Sequence, residues 1–569
     1  MALADSHRLM GFAIAESWRG LRRKLVGGRP GAVRISGPSP ERLVLAPPDL
    51  HTADPTVAQD IYSGVYNFAG RTAFARGTNP FTIDPPSEAW ARELNSFTWL
   101  RHLGAAGDAV SATNAQFLAR DWIYAHRNPA GDPAWDVDVT AQRLLSWLCH
   151  SVLIVRNAEL DDYRRFLKSI GQHVRFLRAS ASGATDGMPR LTARIALAYA
   201  AICVEGRKFS VRSASRDLDA ELSRQIYPDG GHISRCPGVL PEILALLLPL
   251  RESILRTGKE PSHELLSAID KVSAALKFYR MGDGSIARFN GTSATSNDLV
   301  ATVLRYDQTM GEAPANAAYS GFHRILQDQT MIIFEAGKAP RGDLSANMHA
   351  GCLSFELSSA GTPVIVNCGI PPFHNIDAIR AGRSTAAHST LTLNDTSSCR
   401  FNADSMLGRY FGDRIISGPS RVPCERKDAG NTVSLTASHD GYLTRYGVIH
   451  ERMLVLGKQG CSFMGIDRIK TSDGRIMKNA GNQSVAIRFH LHPSVSASKM
   501  QDGRTIHLSC ARGQSWRFVC TDTAPQIEES MLFAVPGGSR RTSQIVLNVP
   551  GTRAQEVRWL FERQDNQAG

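Results

Sequence analysis

The sequence predicts a two-part chain: a helical region over 1–310, a linker at 311–322, and an antiparallel β-sandwich over 323–569. Three observations carry this. Apolar residues recur at helical spacing through the first part. Short β-type runs separated by Gly, Asp and Ser turns fill the second. Between them the composition shifts through Gly311-Glu-Ala-Pro-Ala-Asn-Ala-Ala.

In the first part, Tyr163, Phe166, Leu167, Ile170, Val174 and Leu177 fall on one helix face, the i, i+3, i+4, i+7 pattern of an amphipathic helix. Similar segments start near Asp5, Val57, Ala115, Asp138, Leu191, Ser213, Leu240 and Ser262. Many such helices joined by short turns form a helical array. Asp229-Gly-Gly-His-Ile-Ser-Arg-Cys-Pro237 follows one of them, and its paired glycines predict a tight, exposed loop carrying His232 and Arg235.

In the second part, β-type runs are expected at Thr330–Phe334, Leu353–Leu357, Val364–Val366, Thr390–Leu393, Met453–Leu456, Ile487–Leu491 and Ile545–Val549. Side chains alternate along a strand, so Leu353, Phe355 and Leu357 face inward while Cys352, Ser354 and Glu356 face a side open to water. Three of these stretches bring His349, Asn367 and His388 toward one sheet edge. His490 and His492 alternate with Phe489 and Leu491, which reads as a solvated strand face.

Composition bounds the partners. With 43% hydrophobic and 21% charged residues the chain is ordinary globular material. A formal charge of +12 attracts polyanions. Basic residues are scattered and no nucleic-acid motif or zinc-finger spacing occurs, so nucleic acid is not the expected partner. The ten cysteines form no disulfide framework and read as buried thiols. Charges interrupt the apolar run of the N-terminus, so no cleavable signal is expected, which by itself points to the cytoplasm. The most apolar segment, Val239 to Leu250, is too short to span a bilayer.

The run His349-Ala-Gly-Cys-Leu-Ser-Phe-Glu-Leu, the Asn367-Cys-Gly, the Arg383-Ser-Thr-Ala-Ala-His-Ser-Thr and the later His439-Asp-Gly-Tyr442 together resemble the C-terminal half of heparinase II/III-like polysaccharide lyases. The resemblance implies an N-terminal incomplete α/α toroid and a C-terminal antiparallel β-sandwich. It also implies β-elimination on an acidic, uronic-acid-containing glycan such as a glycosaminoglycan or alginate, and work in the cell envelope or periplasm. Such chemistry needs a donor to hold the uronate carboxylate, a base for the C5 proton and an acid for the departing O4. His349, His388, Tyr442, His232 and Arg235 are the catalytic candidates. Arg143, Trp147, Asn347, Arg383, His439 and Arg452 are the substrate-binding candidates, Arg pairing with carboxylate and Trp stacking on sugar. No cofactor is required, and His349, Asn367 and His388 are the candidate ligands of a structural zinc.

Several positions depart from the family pattern. Val239 and Leu240 stand where a Tyr-His pair is usual, Asn347 replaces a histidine, and the neutral Asn367 replaces a carboxylate. Two functions follow: a lyase with a relocated proton-transfer group, for which Tyr442 is the natural candidate, or a glycan-binding or assembly protein that keeps the lyase fold. Each residue also has a packing role open to it, Trp147 as core and Tyr442 as a sandwich-corner tyrosine. A hydrolase would need two opposed carboxylates, and the sequence nominates no such pair.

Overall fold

The computed structural model describes residues 35–564, apart from 128, 130–131, 207–209, 307–312, 341, 373–374, 403–412, 458, 478–482 and 551–555, together with residues 10, 11, 14, 17 and 18. The helix expected near Asp5 and residues 311–312 of the linker lie outside the described residues.

The helical half is an incomplete α/α toroid. Its helices begin where side chains satisfy the free N–H groups of a first turn. Ser87 caps Glu88–Ser96, Asp108 caps Ala109–Ala125, Ser210 caps Val211–Gln225 and Ser262 caps His263–Tyr279. The helix expected around Tyr163–Leu177 runs over Leu160–Ser180 and buries Phe166, Leu167, Ile170, Val174 and Leu177. Met188–Cys203 and Leu240–Arg256 are apolar nearly all round and form the centre of the array.

The second half is a sandwich of two antiparallel sheets. One orders its strands Gln526–Leu532, Arg540–Pro550, Ser484–Leu491, Thr362–Val366, Phe355–Ser359, Thr330–Glu335, Phe322–Gln327 and Asn316–Ala317, with Leu391–Leu393 also paired to Ser484–Leu491. The other orders Cys424–Ala429, Thr432–His439, Val448–Gly457, Ser462–Thr471, Glu556–Gln564, Ser515–Cys520, Thr505–Ser509 and Ser496–Lys499. Their inner faces meet in an aromatic core, where Phe355 stacks on Trp559 at 5.8 Å and Phe489 meets the same ring at 4.8 Å.

Two expectations are corrected here. The face holding Ser354 and Glu356 is not wet: both are buried, because residues 281–292 of the helical half lie over that sheet. Leu353 adopts φ of +63° and precedes the strand, which starts at Phe355. The stretch 313–322 also packs closely, with Ala317 and Phe322 buried in the helical core.

Two buried ion pairs clamp the halves together. Arg235 from the Asp-Gly-Gly loop lies 3.0 Å from Glu335, and Arg288 lies 3.6 Å from Glu356. Burying a carboxylate is tolerable only when it is paired and hydrogen-bonded. Glu335 also accepts from Asn290 Nδ2, and Glu356 accepts the backbone N–H groups of Arg288 and Asn367. Arg235→Met leaves the Glu335 carboxylate alone in the seam and should lower unfolding free energy by about 3–5 kcal/mol. Adding Glu335→Gln should recover part of that loss, as a double-mutant cycle in urea will measure.

Candidate functional site

His349 and His388 do come together. His349 Nδ1 lies 3.0 Å from His388 Nε2, with the rings edge to face. The protons can be assigned from the neighbours. Gly291 N–H donates to His349 Nε2 at 2.9 Å, so the ring proton of His349 sits on Nδ1 and is donated to His388 Nε2. His388 then carries its proton on Nδ1 and donates it to the Ser384 carbonyl at 2.7 Å. All four ring nitrogens are engaged, and both imidazoles are neutral. Burial, and then the neighbouring His388 and Arg383, hold the His349 pKa well below the usual imidazole range; burial alone brings His388 down to about 4.

Both rings are sealed from solvent, with exposures of 2% and 1%. Gly351 makes the packing possible, since a Cβ there would stand 2.5 Å from the His388 ring. Asn367 joins through the backbone beside His388: its Oδ1 accepts Ser389 N–H at 3.0 Å, while its buried Nδ2 has no partner.

This donor set does not fit zinc. A zinc site needs lone pairs converging on one point, usually with negative charge among them. Here the two imidazoles share a proton with each other, the amide oxygen is committed to Ser389 N–H, and the free amide atom is a donor. Among the described residues no three His, Cys, Asp or Glu side chains are grouped to hold a metal ion.

The remaining candidates fall into three separate places. At the seam, His232 is buried and bonded to Gln225 and Ser234, each at 2.7 Å, with its pKa lowered to about 4 by burial. Arg235 adopts φ of +55° and donates to the carbonyls of Ser320 and Lys338. The Asp-Gly-Gly loop is thus not the exposed loop expected. A Cβ on Gly230 would strike the Lys271 carbonyl at 1.9 Å, and one on Gly231 would strike Ser320 Oγ at 1.9 Å. Asp229 holds Ser320 through both its backbone N–H and its hydroxyl. Leu240 is buried at the start of its helix.

In the toroid, Arg143 is fully buried. It donates to the carbonyls of Asn95 and Ala134 and to His173 Nε2, with its guanidinium 3.8 Å from the Trp122 ring centre. Trp147 packs in the same box against Phe97, Trp122, Phe166 and His173. Neither reaches a cleft, because the aromatic cluster closes around them.

Inside the sandwich, Arg452 forms a bidentate pair with Asp467 at 2.8 and 3.0 Å. Its other nitrogen donates to the carbonyls of Leu353 and Ser389. Asp467 also accepts from His450 Nε2 and Trp559 Nε1. His439 is buried and lies 3.4 Å from His450 Nδ1. Tyr442 packs at the corner, its hydroxyl donating toward the Leu391 and Thr396 carbonyls, and burial raises its pKa well above the phenol range. Arg383 donates to the carbonyls of Met348 and Ser345. Asn347 is the one sequence-nominated residue that is exposed. His490 is buried, not solvated, because Ala386 and Ser530 cover it and accept or share its ring protons.

Sequence reasoning passed over Glu335, Asp467 and Asn290 and placed Glu356 on a face open to water, although all four are partners that fix these groups. A charged residue closing the apolar run Met331-Ile-Ile-Phe-Glu335 was the available signal. Tyr319 was also passed over: it is 66% exposed and adjoins Ser320, which Asp229 holds.

Comparison with known proteins agrees with the geometry. Residues 309–560 match the family described as heparinase II/III-like, C-terminal. FtsZ-localized protein C of Caulobacter vibrioides is 29% identical over 99% of this chain and 98% of its own length. The crystal structure of heparinase III matches with a TM-score of 0.69 at 12% identity, covering 98% of this chain and 91% of that one. Heparan sulfate lyase HepC of Pedobacter heparinus matches with a TM-score of 0.59 at 16% identity, covering 98% and 89%.

The buried neutral histidines set an acid limit on stability. His232 and His388 have folded pKa values lowered to about 4, below the unfolded value, so their contribution is complete above pH ~6.5 and is lost as pH falls toward 4. Chemical denaturation across that range should show stability falling more steeply in the native chain than in His349→Gln/His388→Gln. Dialysis against a chelator should leave the melting temperature unchanged.

Residues 309–560 thus match the heparinase II/III-like C-terminal family, and the chain along its length shares the fold of heparinase III.

Proposed function

We propose that this chain is a binding or assembly protein that keeps the polysaccharide-lyase fold, acts in company with FtsZ and does not turn glycan over. The sealed His349–His388 pair carries this reading. A lyase must present a base to C5 and an acid to O4 of a bound sugar. Here every ring nitrogen of the pair is engaged inside the protein. The Tyr442 hydroxyl is spent on backbone, and Val239 and Leu240 supply no proton-transfer group. The similarity to FtsZ-localized protein C over nearly the full length of both chains supports the partner. An acidic glycan is the ligand class the inherited fold and the +12 charge favour.

One observation favours a second reading, β-elimination at an acidic glycan by a relocated group. Tyr319 offers an exposed phenol next to the residue that Asp229 holds. Both readings are tested by following the ultraviolet absorbance of unsaturated uronate while the protein is incubated with glycosaminoglycans and alginate. A flat trace on every substrate is expected. A rise abolished by Tyr319→Phe would establish the lyase instead. A fluorescent fusion should coincide with FtsZ in cells and disperse when FtsZ is depleted; a uniform distribution beside intact FtsZ structures would sink the assembly role.

A further inference from the structure

The helix Ala109–Ala125 buries Ala112, Ala115, Leu118, Ala119 and Trp122 on its inner side. Its outer side is also apolar in part. Val110, Phe117 and Tyr124 are 55%, 46% and 42% exposed. They are spaced seven residues apart, which is two helical turns, so they lie in one line along the helix. The adjoining segments add Val152 and Leu160, 60% and 62% exposed. Apolar side chains gathered on one face of a water-soluble surface mark an interaction site.

A shallow groove runs between this helix and Leu160–Ser180. Its floor is apolar, formed by Ile123, Ile154, Val155 and Phe166, and Arg120 and Arg165 stand at its edge. The guanidinium of Arg120 lies 4.6 Å from the Phe117 ring centre, and that of Arg127 lies 4.7 Å from Tyr124. Arg165 is 5.8 Å from Tyr124 and is also paired with Asp162 at 3.1 Å. Arg164 pairs with Asp161 beside it. Asp121 is the remaining acidic group on the helix.

This arrangement distinguishes between occupants. A sugar needs a bare ring face to stack on, and guanidinium groups lie over the faces of Phe117 and Tyr124. What remains is an apolar trough, a ridge of side chains seven residues apart, and a rim where Arg120 and Arg127 outnumber Asp121 once Arg164 and Arg165 are paired with Asp161 and Asp162. The complement of that surface is an amphipathic helix whose apolar stripe is flanked by acidic residues. We propose that the groove between Ala109–Ala125 and Leu160–Ser180 docks an acidic amphipathic segment of a partner protein. The surface is on the toroid, apart from the sealed histidines, and the inference stands whether or not the chain processes glycan.

The test uses the full chain as bait for a random peptide library displayed on phage. Parallel baits carry Arg120→Glu with Arg165→Glu, or Phe117→Ser with Tyr124→Ser, each first shown to melt like the native protein. Should a double variant melt early, the single Arg120→Ala, which shortens a half-buried side chain that forms no ion pair among the described residues, takes its place. The native chain should enrich peptides with apolar residues at helical spacing beside Asp and Glu. A synthetic copy of the enriched peptide should bind either variant at least about tenfold more weakly in fluorescence anisotropy. No enrichment, enrichment without acidic residues, or equal binding to the variants would overturn the proposal. Displacement of the peptide by a heparin oligosaccharide, with the oligosaccharide's own binding lost in the same variants, would reassign the groove to glycan.

Discussion

The architecture of the candidate site depends on two carboxylates buried where the toroid meets the sandwich. Glu335 and Glu356 lie on adjacent paired strands and face residues 281–292 of the helical half. Each would be intolerable alone in that setting. Arg235 and Arg288 supply the charge, and Oε1 of Glu335 accepts from Asn290 while Oε1 of Glu356 accepts two backbone N–H groups. Burial raises the Glu356 pKa to about 7 despite Arg288, so its ionised form depends on that neighbour near neutrality. The same loop then continues into Gly291, whose N–H selects the tautomer of His349. The seam therefore sets the protonation of the histidine pair.

That dependence explains why the pair is structural in character. A chain of hydrogen bonds from the Gly291 N–H through His349 and His388 to the Ser384 carbonyl satisfies every nitrogen without charge. Protonating either ring would place a second donor against a donor in a site closed to water. The Gly351 backbone leaves room for the His388 ring where a side chain would clash. Arg452 supports the arrangement from the sandwich core, holding the carbonyls of Leu353 and Ser389 while Asp467 neutralises it. Two buried networks, one at the seam through Glu356 and one in the core through the Leu353 carbonyl, thus meet at the start of the strand Phe355–Ser359.

The fold was legible because its signals are periodic. Helical spacing gave the Leu160–Ser180 helix to within three residues, whereas the runs Met453–Leu456 and Ile545–Val549 mark only parts of the strands Val448–Gly457 and Arg540–Pro550. The juxtaposition of His349 with His388 was legible from the spacing of three stretches. Burial was not. Glu356 and His490 occupy alternating positions that would face water on a single sheet, and only the tertiary cover from residues 281–292 and from Ala386 and Ser530 turns them inward. Arg143 was read as a substrate-binding group and Arg235 as a catalytic one on an exposed loop, yet both are buried. Their carbonyl acceptors are backbone atoms distant in sequence, such as Asn95 and Lys338, which no side-chain pattern announces.

The motifs that resemble a lyase are retained here by packing, and this limits what a motif can report. His349, His388, Arg383 and Arg452 each hold backbone carbonyls, a backbone N–H or one another. Replacing any of them would orphan a buried polar group, a cost that exists whether or not a sugar is ever bound. Such residues are constrained by folding alone. At the positions where the resemblance places a histidine and a Tyr-His pair, the chain carries the exposed Asn347, the half-buried Val239 and the buried Leu240. The motif match therefore reads the fold, whereas the accessible groups read the chemistry. In this chain the fold is intact, and Val239, Leu240 and Asn347 carry no titratable side chain at those three positions.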